Sequence, residues 1–176
     1  MNATLKNGKI AVIRPATEED AEGVIAVLQH ADAETDFLVR EQGEFSYDIP
    51  REREFLKRAN GEGNVFLVVE YEGGIVAVCN VFSNRARRLR HRAELSLVVG
   101  LKEHWGLGIG SAVMRAAETW AKEHGFEQLE LSVVRENARA VALYEKFGFK
   151  PYGTLPHAMK YADGSYVDFV MMIKNL

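Results

Sequence analysis

The run Glu94-Leu-Ser-Leu-Val-Val-Gly100 leads into Leu101-Lys-Glu-His-Trp-Gly-Leu-Gly-Ile-Gly-Ser111, so an apolar, strand-like stretch feeds a turn with glycines at 106, 108 and 110. A helix opens directly after that turn. Glycine removes the Cβ atoms that would keep a ligand away, and the first N–H groups of the helix lack internal partners and carry the positive end of its dipole. The turn is therefore suited to a phosphate-like anion, although a plain tight turn has the same composition. Spacing excludes two familiar phosphate motifs. A dinucleotide fingerprint would place its third glycine at Ser111 or Val113, and a P-loop would need a Gly-Lys-Ser/Thr ending that the chain lacks.

The rest of the pattern alternates around this turn. Residues 9–14 read as a strand, and Thr17 with Asp20 starts a helix near 18–30 whose apolar face is Val24, Ile25, Val27 and Leu28. Residues 31–49 mix acids with Phe37, Phe45 and Tyr47 and show no clear period, whereas Pro50 suits the first position of a helix over 51–60. Strands at 65–71 and 75–82 flank Glu72-Gly73-Gly74 as a hairpin, and a third strand follows at 93–99. Next come a helix over 111–124 ended by Gly125 and an apolar strand at 128–134. Asn137 caps a helix through Phe147 that stops at Gly148; a strand starts at 149–152, and a turn at Asp163-Gly164 leads to another at 166–173. The expected class is mixed α/β with one parallel crossing.

Taken with Asn137-Ala-Arg-Ala-Val-Ala-Leu-Tyr-Glu-Lys-Phe-Gly-Phe149, the glycine turn resembles the GCN5-related N-acetyltransferase (GNAT) superfamily, whose members use acetyl-CoA to acylate amines. The likeness runs over about residues 8–176. The family's pyrophosphate signature, Arg or Gln, two free positions, Gly, one free position, Gly or Ala, falls on Trp105, Gly106, Leu107, Gly108, Ile109 and Gly110; Trp105 departs from it. The resemblance implies a GNAT fold: a mixed, mostly antiparallel sheet with a central splayed parallel strand pair and about four helices. The splayed pair would be 93–99 and 128–134, with the pantetheine arm of acetyl-CoA lying between them.

The same resemblance assigns roles. The main chain of Leu97, Val98 and Val99 would pair with the pantetheine amides, one N–H polarising the thioester carbonyl. Residues 105–110 and Ser111 would hold the diphosphate, and Asn137 would cap its helix and touch the cofactor. Amine acetylation requires removing one proton from an ammonium and giving one to the departing thiolate. Tyr144 matches the family's general acid, or it is a core aromatic beside Leu143 and Phe147. Glu94 stands where many members carry a base acting through water, or it is a surface carboxylate paired with Arg92 or another arginine. His91, His157 and Asp168 are alternatives that read as structural or solvated, and His104 as a loop residue or phosphate neighbour. Cys79 lies in an apolar strand and reads as packing, so the implied chemistry is direct attack of the amine without metal or acyl-enzyme.

Length and composition agree with one domain over 1–176: 176 residues with 47% hydrophobic and 27% charged content can bury a single core. The net charge of −3 argues against a polyanion binder. The arginine-rich run 85–92 reads as a solvated loop, since it lacks the interleaved aromatics of nucleic-acid binders. No apolar run nears the roughly 20 residues that span a bilayer, the start has no signal-peptide pattern, and the single cysteine fits a reducing cytoplasm. No nucleic-acid or membrane partner is expected. The acceptor is read as a small-molecule primary amine, amino-acid or polyamine-like, because residues 160–168 are similar to a small-molecule branch of the family. A protein N-terminus or lysine, or a non-catalytic acetyl-CoA-binding regulator, are the alternatives, and family likeness implies a homodimer.

Overall fold

A computed structural model of the protein describes residues 1–44, 48–61, 63–83 and 86–176. Phe45, Tyr47 and Arg85, singled out in the sequence, lie outside the described residues. The chain begins with β1 (Asn2–Thr4) and β2 (Ile10–Pro15), paired antiparallel. β1 was not expected, because three residues carry no periodicity; pairing with β2 alone defines it.

Helix α1 (Ala21–Glu34) follows a one-turn 3-10 segment, Glu18–Asp20, and α2 (Ile49–Ala59) carries Pro50 in its first turn. The helix start is fixed as the sequence suggests: the Thr17 N–H donates to Asp20 Oδ2 at 2.7 Å. Asp20 is buried and also gripped by Arg14, whose two terminal nitrogens donate to its carboxylate at 2.7 and 2.6 Å.

The strands β3 (Asn64–Tyr71) and β4 (Gly74–Ser83) form a hairpin whose two linking residues, Glu72 and Gly73, have φ of 49° and 84°, as primed turns require. Then come β5 (Arg92–Val99), α3 (Ile109–Glu123), β6 (Gln128–Val134), α4 (Ala138–Lys146), β7 (Lys150–Lys160) and β8 (Tyr166–Asn175). The arginine-rich loop before β5 makes an exposed 3-10 turn at Arg87–Leu89.

The strands form one eight-stranded sheet in the order β1-β2-β3-β4-β5-β6-β8-β7. All neighbours are antiparallel except β5 and β6, joined in parallel through the α3 crossover. Strand alternation splits the apolar residues between two faces. Ala77, Cys79, Val81, Leu95 and Leu131 pack with α3 and α4, whereas Phe66, Val68 and Val78 pack with Val24, Val27 and Leu56 of α1 and α2. This is the expected α/β fold with four helices and a central parallel pair. No helix among the described residues is long and apolar enough to cross a membrane.

Candidate active site

The parallel ladder between β5 and β6 is short. It registers Arg92 with Gln128, Ala93 with Leu129 and Glu94 with Glu130, and then stops. Beyond Glu94, β5 continues its pairing with β4 as far as Val99, while β6 continues with β8 as far as Val134. The two strands therefore splay, leaving a gap lined by main chain. Gly100 donates its N–H to the Val76 carbonyl at 3.0 Å, which makes 100 and 76 a hydrogen-bonded pair of the antiparallel ladder. Alternation then turns the N–H and C=O of Val98, Ser96 and Glu94 toward β4. Those of Leu97 and Val99 face the gap.

This corrects one expectation. Of the three consecutive residues 97–99, Val98 has its main-chain groups in the β4 ladder and its side chain against the α1/α2 cluster. The side chains of Leu97 and Val99 pack on the opposite face, toward α3 and α4. A pair of residues two apart, presenting N–H and C=O into a gap, is the edge that an extended amide-bearing ligand joins as an added strand.

The gap opens at the glycine turn. Gly108 has φ of 96°, which permits the left-handed N-cap conformation, and α3 starts at Ile109, two residues before the expected start. The first helical bond runs from Ala112 N–H to the Gly108 carbonyl at 3.0 Å, so the N–H groups of Ile109, Gly110 and Ser111 precede it and are free of it. The Leu107 carbonyl accepts from Lys6 N–H at 2.9 Å, tying the turn to the β1–β2 loop. Gly110 answers a different need from the one its sequence suggests. A Cβ there would stand 3.1 Å from Leu143 Cδ2, so its bareness lets the first turn of α3 pack on α4. At Gly106 a Cβ would meet nothing within 4 Å, which leaves room over the turn. Open space beside three N–H groups that are without a partner among the described residues, at a helix N-terminus, fits a diphosphate.

Trp105, where the signature calls for Arg or Gln, turns its indole N–H onto the Val99 carbonyl at 3.3 Å. The Arg139 guanidinium carbon lies 4.3 Å from the centroid of its ring.

Tyr144 is buried on α4, its ring 6.0 Å from that of Phe149, and its hydroxyl makes no hydrogen bond among the described residues. Burial, with Cys79 a lesser neighbour, holds its pKa well above the usual phenol value, so it is a proton carrier at neutral pH. Glu94 is exposed on the other face, at the last paired position before the splay. Surrounding protein and then the like charge of Glu130 push its carboxyl above the ordinary range. Among the described residues Glu94 forms no ion pair with Arg92, which bonds Glu130. Asn137 caps α4, its Oδ1 accepting from Ala140 N–H at 3.1 Å.

The other candidate groups make the following contacts. Asp168 accepts from His157 N–H at 3.0 Å and pairs with Arg135 at 3.2 Å, and His157 stacks on Tyr166. The His91 carbonyl accepts from Glu127 and Gln128 N–H. His104 packs edge-on against Tyr71. Cys79 is fully buried and its thiol is pushed up to about 12, which leaves it protonated at neutral pH.

A cleft of about 1240 Å³ lies between the segment linking α1 to α2 and the β7–β8 hairpin, bridged where Tyr161 Oη donates to the Asp36 carbonyl at 2.9 Å. Among the described residues its walls carry Asp32, Asp36, Glu41, Glu44, Glu136 and Asp163 against two cations, Arg40 and Lys160. Arg40 pairs with Asp32 at 2.9 Å. Sequence reasoning noticed the acids of 31–49 but did not join them to the hairpin, because only the sheet order brings two segments more than a hundred residues apart together.

Comparison with known proteins bears on this site. Residues 28–149 match the model of the acetyltransferase (GNAT) family. The L-amino acid N-acetyltransferase AaaT of Escherichia coli is 30% identical over 115 residues, 61% of this chain and 66% of that protein. An N-alpha-acetyltransferase of Sulfurisphaera tokodaii is 29% identical over 168 residues, 92% of each chain. Of two other curated relatives, the chain spans only 23% and 24% of their own lengths. A crystal structure of a GNAT-family acetyltransferase from Streptococcus pneumoniae superposes with a TM-score of 0.89 at 28% identity, covering 94% of this chain and 99% of that one.

Proposed function

The chain belongs to the acetyltransferase (GNAT) family, and from that premise we propose that it transfers the acetyl group of acetyl-CoA to the primary amine of a small, cationic molecule, amino-acid or polyamine-like. The observation that carries this reading is the splay of β5 from β6 above the N-terminus of α3. Bound there, acetyl-CoA supplies the activated acyl group. Leu97 and Val99 offer N–H and C=O groups to the pantetheine amides, one N–H polarising the thioester carbonyl. Ile109, Gly110 and Ser111 offer N–H groups to the diphosphate, and Gly106, Leu107 and Gly108 shape the turn that exposes them. Asn137 holds the start of α4 beside this site.

Glu94, on the acceptor's face of the sheet, draws the ammonium proton through water; Tyr144 gives its proton to the departing thiolate and is reprotonated by the second proton that the nitrogen sheds as the amide forms. Attack is direct, because Cys79 is buried and protonated and no other thiol exists in the chain. The carboxylate-rich cleft beside the β7–β8 hairpin suits an acceptor that arrives as a cation. The Sulfurisphaera relative's name favours a second reading, acetylation of a protein N-terminus. We further propose that residues 1–176 act as one catalytic domain in the cytoplasm and as a homodimer through β7 and β8, where Tyr152, Leu155 and Tyr166 are half exposed.

Incubating the protein with acetyl-CoA and a panel of amino acids, polyamines and peptides, and following thiol release above hydrolysis, tests this. Turnover with diamines or basic amino acids supports the small-acceptor reading. Turnover confined to peptide N-termini replaces it with the second. Binding of acetyl-CoA without any turnover leaves only a cofactor-binding protein.

A further inference from the structure

The first position of the pyrophosphate signature normally contributes a side chain that donates hydrogen bonds, often with a positive charge. Trp105 provides neither to an anion, since its one donor is engaged by the Val99 carbonyl at 3.3 Å. A guanidinium nevertheless stands at that place. Arg139, in the first turn of α4, places its central guanidinium carbon 4.3 Å from the centroid of the Trp105 ring.

The packing explains how it gets there. Leu143, four residues on and so on the same face of α4, is the side chain that a Cβ on Gly110 would touch at 3.1 Å. The Arg139–Leu143 face of α4 therefore runs along the first turn of α3, where the N–H groups of Ile109, Gly110 and Ser111 are unused. Among the described residues no carboxylate comes within ion-pair distance of Arg139. Arg139 stays exposed to solvent on one side, and the protein packed against it lowers its pKa from the usual guanidinium value. The indole thus holds a guanidinium beside a helix N-terminus, in a chain whose net charge is −3.

We propose that Arg139, held over Trp105, gives the cofactor diphosphate the charged donor that the family signature places at position 105. Charge and indole are then one unit: Trp105 replaces the arginine in sequence, and Arg139 replaces it in space. The inference rests on the cofactor site proposed above and adds a binding residue to it. Arg139 forms no bond in the reaction; it orients and neutralises the anion.

Calorimetric titration with coenzyme A and with 3′-dephospho-coenzyme A tests it, using wild type, Arg139→Ala, Arg139→Lys, Trp105→Arg and the Arg139→Ala/Trp105→Arg double variant. Arg139→Ala is expected to weaken both ligands by roughly 10- to 100-fold. Its affinity should depend less steeply on salt than the wild type's, and Arg139→Lys should fall between the two. The double variant should regain most of the loss, because a guanidinium returns to the site from the other residue. Unchanged affinity of Arg139→Ala for coenzyme A would overturn the proposal while leaving the cofactor site intact. So would a loss confined to coenzyme A, which would assign Arg139 to the 3′-phosphate, or a loss that Trp105→Arg fails to restore, which would make Arg139 a packing residue. If wild-type protein bound neither ligand, the cofactor site itself would fall, and this inference with it.

Discussion

Tyr144, by burial, and Glu94, by the protein packed beside its exposed carboxyl and then the charge of Glu130, are both raised above their ordinary pKa values, with opposite chemical consequences. In the proposed mechanism the rise secures the proton that the phenol donates, and it makes the carboxylate a stronger base that must first lose a proton. Tyr144→Phe should lower kcat about 100-fold while the calorimetric affinity for coenzyme A stays within about twofold. The acidic limb of the kcat/KM profile should lie above the usual carboxylate range and vanish in Glu94→Gln. Stability moves the other way. A carboxyl whose folded pKa is raised binds its proton more tightly in the folded state, so its contribution is present at low pH and is lost as pH rises through that pKa. Glu94→Gln should therefore melt at neutral pH no lower than wild type, and up to a few degrees higher. A lower melting point would show that Glu94 is a structural ion.

At the scale of elements, the start of α3 and the start of α1 show how local chemistry sets position. Gly108→Glu places a side chain where φ is 96° and adds negative charge beside the unused N–H groups, so coenzyme A binding should be lost in titration. At the other start, Asp20 holds the Thr17 N–H and is clamped by Arg14, whose guanidinium keeps its carboxyl below the usual range. That contribution is present above the ordinary carboxylate pKa and is lost as pH falls through the lowered one. Asp20→Ala should cost about 2 kcal/mol in denaturant unfolding at neutral pH, with a smaller cost in acid.

The whole molecule decides what no element carries alone. Elements written in local periodicity were legible: β6 falls at 128–134 as read, the hairpin turns at Glu72-Gly73, and Asn137 caps α4. The glycine turn and the Asn137–Phe149 run were enough to name the family and the splayed strands. What escaped depends on pairing across the sheet. β1 exists only through β2, and Val98 is excluded from the gap only by its register with β4. The acidic cleft needs α1 and β8 on one face, and the Arg139–Trp105 stack needs α4 laid along α3.

The central claim is that the space between β5 and β6 receives a pantetheine whose diphosphate rests on the first turn of α3. A crystal structure with acetyl-CoA tests it most directly. It should show the diphosphate within hydrogen-bond distance of the Ile109–Ser111 N–H groups and the pantetheine amides paired with Leu97 and Val99 but not with Val98. A diphosphate lodged elsewhere, or a pantetheine arm outside the gap, would contradict the account.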